Sequence, residues 1–310
     1  MDRIYKIYFI LPNFKKFGFF GKVVNRSLEK FMKILLDLFI PQYLKKTQAI
    51  QGMGINMKPR EMKYIVTLTS IPERIDEIWI TIETLLRQSF QPDQIILWLS
   101  ELQFPNNSLP QSLLNLKERG LQIEYVADDI KSHKKYFYAF KKFPDAIVIT
   151  VDDDVYYPKN TLRYLIEAHN NHQNSIIANR AHKITFLDGK LRPYRKWVHN
   201  IKCVNEASLL YVPTGVGGVL YPPNSFHKDI FDIGTFKEIC SLADDLWIKV
   251  ATLRNHSNVI ITPYFNKDLI NVGTTQKVKL VSLNSWGGGN DIQFKKVLDF
   301  FNIEIEEYAD

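Results

Sequence analysis

The feature that most constrains this 310-residue chain is a series of four short apolar runs separated by stretches of helical periodicity. Lys63–Leu68, Gln94–Leu99, Leu121–Val126 and Ala146–Val151 read as buried strands. Ala146–Val151 is apolar almost throughout, as when both faces of a strand are covered. Between them, Asp76–Arg87 places Ile78, Ile82, Leu85 and Leu86 on one helix face. Gln111–Arg119 is a second predicted helix, closed by Gly120, and Tyr136–Lys142 is a third. Strand–helix alternation at this spacing predicts an α/β fold with a mostly parallel sheet. Ligands of such sheets sit at the carboxyl ends of strands, so the residues after Leu68, Val126 and Val151 are the candidate site.

Charge separates the chain into two parts. The net charge is +7, from 40 Lys and Arg against 33 Asp and Glu. Residues 1–60 hold twelve basic and three acidic residues, a net +9, which leaves the other 250 at −2. A nucleic-acid-binding body is therefore excluded. Phe31, Ile34, Leu35, Leu38 and Phe39 share one face of a predicted helix that Pro41 is expected to end. Residues 51–59 read as a linker. An amphipathic, Lys-rich segment suits an anionic membrane surface, or packing on the rest of the protein. A hydrophobic fraction of 45% excludes disorder. No membrane-spanning or signal segment stands out, and Cys203 and Cys240 lack metal-ligand spacing. A cytoplasmic, reducing location is the expectation, possible contact of residues 1–45 with the inner membrane face included.

The fourth strand ends in Asp152-Asp153-Asp154. Three adjacent carboxylates on an apolar strand end repel one another, and a hard divalent cation such as Mn²⁺ or Mg²⁺ relieves that. In an extended segment Asp152 and Asp154 would point one way and Asp153 the other.

A D-x-D after a strand, about ninety residues beyond an opening Tyr-Ile-Val-Thr-Leu-Thr-Ser-Ile-Pro-Glu-Arg-Ile run, resembles nucleotide-sugar glycosyltransferases of the GT-A fold. The likeness is greatest to bacterial family-2-like enzymes of surface polysaccharide synthesis and covers roughly residues 62–290. It implies a Rossmann-like nucleotide-binding half over 61–155 and an acceptor-binding half over 156–310, preceded by the basic amphipathic helical segment 1–60. By the same resemblance Thr69, Ser70 and Arg74 cradle the nucleotide, Asp128 or Asp129 reads the base, and Lys135 approaches the diphosphate. Asp152 and Asp154 ligate the metal, Asp152 also touching the ribose, and Asp153 lies among the donor contacts. Pro213–Pro223, rich in glycine, lies beneath the donor sugar. Ala243-Asp244-Asp245-Leu246-Trp247 resembles the Glu-Asp motif of inverting enzymes, with Asp in place of the usual Glu. Asp245 is then the general base, Asp244 the second choice, and Trp247 a sugar-stacking candidate. Asn271, His256 and Asn284 are candidate third metal ligands, and Trp286 a candidate lid.

The implied activity is metal-dependent transfer of a sugar from a nucleoside diphosphate donor to a hydroxyl of a glycan or lipid-linked acceptor. Two rivals stand beside it. A sugar-phosphate nucleotidyltransferase would open with a Gly-rich loop, and residues 67–74 contain no glycine. A non-catalytic carbohydrate-binding protein would use the aromatic surface alone.

Overall fold

The computed structural model describes residues 2–10, 14–201, 206–264, 269–273 and 288–309. Two N-terminal helices, α1 (Asp2–Ile10) and α2 (Gly18–Thr47), precede an α/β body. The body runs β1 (Tyr64–Thr69), α3 (Ile78–Leu85), β2 (Gln94–Ser100), α4 (Gln111–Leu114), β3 (Leu121–Val126), α5 (Lys134–Lys142) and β4 (Ile147–Thr150). It continues with α6 (Thr161–Asn171), β5 (Ile176–Ala178), β6 (Ala181–Lys183), β7 (Phe186–Leu187), β8 (Lys190–Leu191), β9 (Tyr211–Pro213) and β10 (Val219–Tyr221). The last elements are α7 (Ile233–Ile239), α8 (Asp244–Arg254), β11 (Val259–Ile261) and α9 (Gly289–Phe301).

Seven strands form one sheet in the order β11-β5-β10-β4-β1-β2-β3. Only β10 runs antiparallel, to both β4 and β5. The alternation of strands and helices therefore gives the mainly parallel α/β sheet expected from the sequence. The central strands β1, β2 and β4 are buried on both faces because both are covered, whereas the edge strand β3 is only half buried. In β1, Ile65 packs into one core while Val66 and Leu68 pack into the other. In β2, Ile96 and Trp98 divide from Ile95, Leu97 and Leu99 in the same way. The order reverses at β1, which lies between β2 and β4. That reversal opens a crevice at the carboxyl ends of β1 and β4, the place where open α/β sheets bind ligands.

Local signals held to within a residue or two. Gly120 adopts φ +110° and caps the turn before β3, a conformation that favours glycine. The stretch 111–119 is an α-turn followed by a 3₁₀ stretch rather than one helix.

The N-terminal segment departs from its expectation. Pro41 does not end the helix, for α2 runs on to Thr47. Met32, Leu36, Ile40 and Leu44 recur at i, i+4 and are buried with Tyr5, Ile80, Tyr156, Ile270 and Val272. This packing outweighs the local cost of the proline. Most of the stripe predicted to be apolar faces outward: Phe31, Ile34, Leu38 and Phe39 are about half exposed, and of the five only Leu35 packs against this core. Asp37 faces inward and accepts hydrogen bonds from the Tyr156 hydroxyl and the Gly273 N–H, each at 2.8 Å. Residues 51–59 hold no regular element but are pinned, Gly54 N–H to Arg119 and Asn56 N–H to Pro92.

Candidate active site

The site assembles where the ends of β1 and β4, the start of α5 and the start of α8 meet. Lys135, in the first turn of α5, is its centre. Its Nζ lies 3.1 Å from Asp152 Oδ1 and 2.8 Å from Asp244 Oδ2, so one buried ammonium joins two acidic segments ninety residues apart in sequence. Burial disfavours its charge, but Asp152, Asp244 and Asp245 outweigh that and hold its pKa well above the usual lysine value.

The segment after β4 does not stay extended. It bends at Asp153 and Asp154. The expected alternation is thereby corrected: Asp153 and Asp154 share Arg74, while Asp152 turns to Lys135. Arg74 Nη1 lies 2.6 Å from Asp153 Oδ1 and 3.4 Å from Asp154 Oδ2. The Ser70 hydroxyl donates to Asp153 Oδ2 at 2.6 Å. Two residues of the loop after β1 thus grip the aspartates, and the Thr69 hydroxyl donates to the Trp98 carbonyl. Asp152 has its pKa raised, chiefly by burial and then by Asp154 and Asp244, although Lys135 opposes this.

Asp244 and Asp245 open α8 side by side and are driven apart electrostatically. Burial works against the charge of Asp244, but Lys135 and His133 prevail and its pKa is lowered. Asp245 is pushed up to about 8 by burial and by the neighbouring Asp244 charge, with Asp152 adding to the effect and Lys135 and Arg180 opposing it. Asp244 is buried, whereas Asp245 keeps partial access to solvent. His133 braces this helix start. Its Nε2 lies 2.9 Å from the Cys240 carbonyl, which can only accept, so Nε2 carries the proton and Nδ1 accepts from the Tyr136 hydroxyl at 2.7 Å. Burial lowers its pKa to about 4, so the ring is neutral.

Gly215 floors the site. A Cβ there would stand 2.3 Å from Asp152 Oδ1 and 2.8 Å from Lys135 Nζ, so only glycine fits beneath this pair. Beside it, Arg180 Nη1 donates to the Thr214 hydroxyl at 2.7 Å. Arg180 was not singled out from the sequence. Only the long-range return of β9 and β10 brings it near Asp245, and no local pattern signals that.

The other sequence candidates fall in different places. Asp129 accepts from Lys134 Nζ at 2.5 Å and from the Lys131 N–H at 3.0 Å. Asp128 is exposed, 3.4 Å from Lys237. Asn271 pairs with Val155 in a β-bridge and lies next to the aspartate cluster, while Val272 N–H donates to the Asp154 carbonyl. His256 lies just beyond the far end of α8, ~16 Å along the helix axis from Asp245. Trp247 is 1% exposed, with its Nε1–H on the Ile230 carbonyl and its ring between Phe236 and Phe301. It is a core residue and offers no face to a sugar. Cys203, Asn284 and Trp286 lie outside the described residues.

The donor set suits a hard divalent cation. Asp152, Asp153, Asp154, Asp244 and Asp245 face three cations, Lys135, Arg74 and Arg180, which leaves two formal negative charges when every group is ionised. Repulsion alone does not require a metal, because Lys135 and Arg74 already relieve part of it. Among the described residues no group of three or more His, Cys, Asp or Glu side chains is placed to hold a metal ion by itself. Two carboxylates plus ligand phosphates is, however, the way Mg²⁺-like ions are usually held.

The sequence matches no family profile and no curated protein. In structure the chain is similar to S. aureus TarS 1–349, at 16% identity and a TM-score of 0.41, over 67% of this chain and 59% of that one. The same protein in complex with UDP-GlcNAc aligns over 77% of this chain and 67% of that one, at 16% identity and a TM-score of 0.44. A mannosyltransferase from Pyrobaculum calidifontis, in complex with GDP-Man and Mn²⁺, aligns over 91% of this chain and 75% of that one, at 10% identity and a TM-score of 0.44. A 4-diphosphocytidyl-2C-methyl-D-erythritol synthase aligns over 67% of this chain and 93% of that one, at 12% identity and a TM-score of 0.41. The chain thus spans about three fifths of the length of the first of these.

Proposed function

We propose that this protein is a metal-dependent glycosyltransferase of the GT-A type. It would move a sugar from a nucleoside diphosphate donor to a hydroxyl of a glycan or lipid-linked acceptor, with inversion, in surface polysaccharide synthesis. The observation that carries this reading is the division of labour around Lys135. One acidic group lies at the carboxyl end of β4, where a metal diphosphate would bind, and the other supplies a carboxyl of raised pKa beside it. A base works best with a pKa near the working pH, and Asp245 meets that condition.

Asp152 and Asp154 would hold Mn²⁺ or Mg²⁺, with Asn271 the best-placed further ligand. The bound ion would neutralise the diphosphate as it leaves. Thr69, Ser70, Arg74 and Lys135 frame the donor end, with Asp128 or Asp129 assigned to the base edge. Asp245 takes the proton of the acceptor hydroxyl, and that oxygen forms the new bond to the anomeric carbon. The bond from that carbon to the β-phosphate oxygen breaks, and its electron pair leaves on the phosphate. Residues 61–155 form the donor half and 156–310 the acceptor half.

Residues 1–45 fit the inner face of an anionic membrane. Phe19 and Phe20 are 84% and 77% exposed among basic residues, and no described helix is long and apolar enough to cross a bilayer. Deleting α1 and α2 would uncover Ile80 and Tyr156, so Phe19→Ser with Phe20→Ser is the sounder test. Sedimentation with anionic vesicles should drop severalfold for that double variant.

The central experiment is a panel of sugar nucleotides with Mn²⁺. Release of the free nucleoside diphosphate supports the proposal. Conversion of the sugar nucleotide and added pyrophosphate to a sugar phosphate and a nucleoside triphosphate would instead identify a nucleotidyltransferase, and binding without turnover a carbohydrate-binding protein.

A further inference from the structure

The body of the protein is acidic overall, yet residues 180–201 hold six Lys and Arg against the single acidic residue Asp188. The structure shows why these charges stay close together. Lys183 pairs with Val198 through reciprocal backbone hydrogen bonds of 2.8 and 3.1 Å, closing a loop. Within it, β7 and β8 form a hairpin whose tip, Asp188-Gly189, has positive φ at both residues, as tight two-residue hairpins demand. The 3₁₀ turn Tyr194–Lys196 follows, anchored by the Tyr194 N–H to Asp291 Oδ1 at 2.6 Å. The nearby Glu306 carboxylate accepts from the Leu191 N–H at 2.9 Å. Asp291 and Glu306 thus each accept from a backbone amide of this segment.

Lys183, Lys190, Arg192, Arg195 and Lys196 form no ion pair among the described residues, and Lys190, Arg195 and Lys196 are exposed. Arg87, Arg119 and Lys142 are paired, whereas Lys117, Lys159, Lys295 and Lys296 are, like the strip, in no ion pair among the described residues; what sets the strip apart is the number of cations in one short segment. The strip also reaches the site. It begins at Arg180, which touches Thr214 beside Gly215. The Tyr194 ring packs on Trp197, His182 and His199, at centroid distances of 4.8, 5.8 and 5.3 Å. Tyr194 also lies close enough to Asp245 for that carboxylate to reinforce the upward shift that burial gives its hydroxyl. A single donor diphosphate is met by Lys135 and Arg74, and Arg180 faces the aspartates, so the exposed charges of Lys190, Arg195 and Lys196 lie outside that pairing.

We propose that residues 180–201 are an acceptor-binding strip for a glycan chain that carries repeated anionic groups, phosphodiester or carboxylate, and that leads its terminal hydroxyl to Asp245. The inference rests on the glycosyltransferase reading and deepens it to a class of acceptor. Successive cations would meet successive anions along the chain, and the half-buried Tyr194 ring, backed by the core residue Trp197, marks the end nearest the base. Such binding releases counterions and weakens steeply with salt.

The test is fluorescence anisotropy with three labelled probes of matched length: a glycerol-phosphate oligomer, an oligogalacturonate and a neutral dextran. The native protein should bind at least one anionic probe tenfold or more tighter than dextran, and increasingly weakly as salt rises. Which anionic probe wins separates phosphodiester from carboxylate. Replacing Lys190, Arg195 and Lys196 together by Gln should cost at least tenfold for that probe. The charge-matched replacement of Lys22, Lys30 and Lys33 by Gln should change it less than twofold. Equal binding of charged and neutral probes, an inert strip triple, or loss only in the N-terminal triple would each overturn the proposal. Anionic vesicles serve as a further arm: if the strip triple loses vesicle binding and keeps probe binding, the strip is a membrane contact instead. Metal-dependent hydrolysis of sugar nucleotide should be the same in the strip triple and the native protein. Absence of that hydrolysis in the native protein would refute the glycosyltransferase reading separately, because probe binding is measured without donor.

Discussion

Two acidic clusters share one lysine in this protein, and they are held differently. In the cluster after β4 every aspartate has a cation against it: Lys135 for Asp152, Arg74 for Asp153 and Asp154. In the pair that opens α8 only Asp244 has one in contact among the described residues, and Asp245 is left to absorb the repulsion. Neighbours of the same residue type thus acquire opposite tendencies from their surroundings. In the first cluster burial raises Asp152 and Asp153 while Lys135 and Arg74 oppose the rise, and such a cation-braced group suits a metal diphosphate. The second contains a carboxyl that gives up its proton near neutral pH and can take it from a hydroxyl.

Replacing the odd member should have the largest effect. Asp245→Asn keeps the shape and removes the base, so turnover with donor and acceptor should fall by about a thousandfold while donor binding stays within a few-fold. Single-turnover assays and donor titration measure the two separately. Near-native turnover would remove Asp245 from the chemistry and leave Asp244 as the alternative. The next largest effect follows from cutting the link. Lys135→Met strands two buried carboxylates and should cost on the order of 3 kcal/mol of stability, read from denaturant midpoints. Much of that loss should return in Lys135→Met combined with Asp244→Asn, because the second change removes one of the stranded charges. A double variant no more stable than the single one would show that Lys135 does not hold the two clusters together.

The comparison also shows what a sequence can disclose. The strands were legible because β-branched runs between helical stretches have few other outcomes, and Asp152–Asp154 stood out because an apolar strand ended in charge. The aspartates' orientations were not legible. An extended segment alternates its side chains, but this one bends, and the bend is set by Arg74 and Ser70 from a loop some eighty residues earlier. Pro41 misled for a related reason: local chemistry favours ending the helix there, and the buried contacts of Ile40 and Leu44 overrule it. Arg180 and Tyr194 carried no local signal, since their nearness to Asp245 exists only after the chain returns through β9 and α8. Trp247 looked like a sugar platform in a motif and is a core residue because helix α8 presents it to Phe236 and Phe301.

The smallest expected effect tests the comparison most directly, because it does not require a substrate. In the unfolded chain Asp245 ionises near ~3.9. In the folded protein it does so at about 8. Between those values the folded state holds a proton that the unfolded state has lost. Stability therefore falls as pH rises through that window, and the loss is complete above pH 8. Asn at the same position carries no such proton and no such charge. The melting temperatures of the native protein and of Asp245→Asn should therefore coincide near pH 4 and separate steadily above it. By pH 8.5 the variant should be the more stable by at least ~2 °C, the shift expected for roughly 1 kcal/mol in a domain of this size. Asp244→Asn should behave in the opposite sense, because that carboxylate has its pKa lowered by Lys135 and stabilises the fold when charged. Its cost should be present at neutral pH and shrink as the pH falls below the ordinary carboxylate range. If the two variants instead show the same pH dependence, the aspartates are electrostatically equivalent. The difference on which the choice of base rests would then not exist.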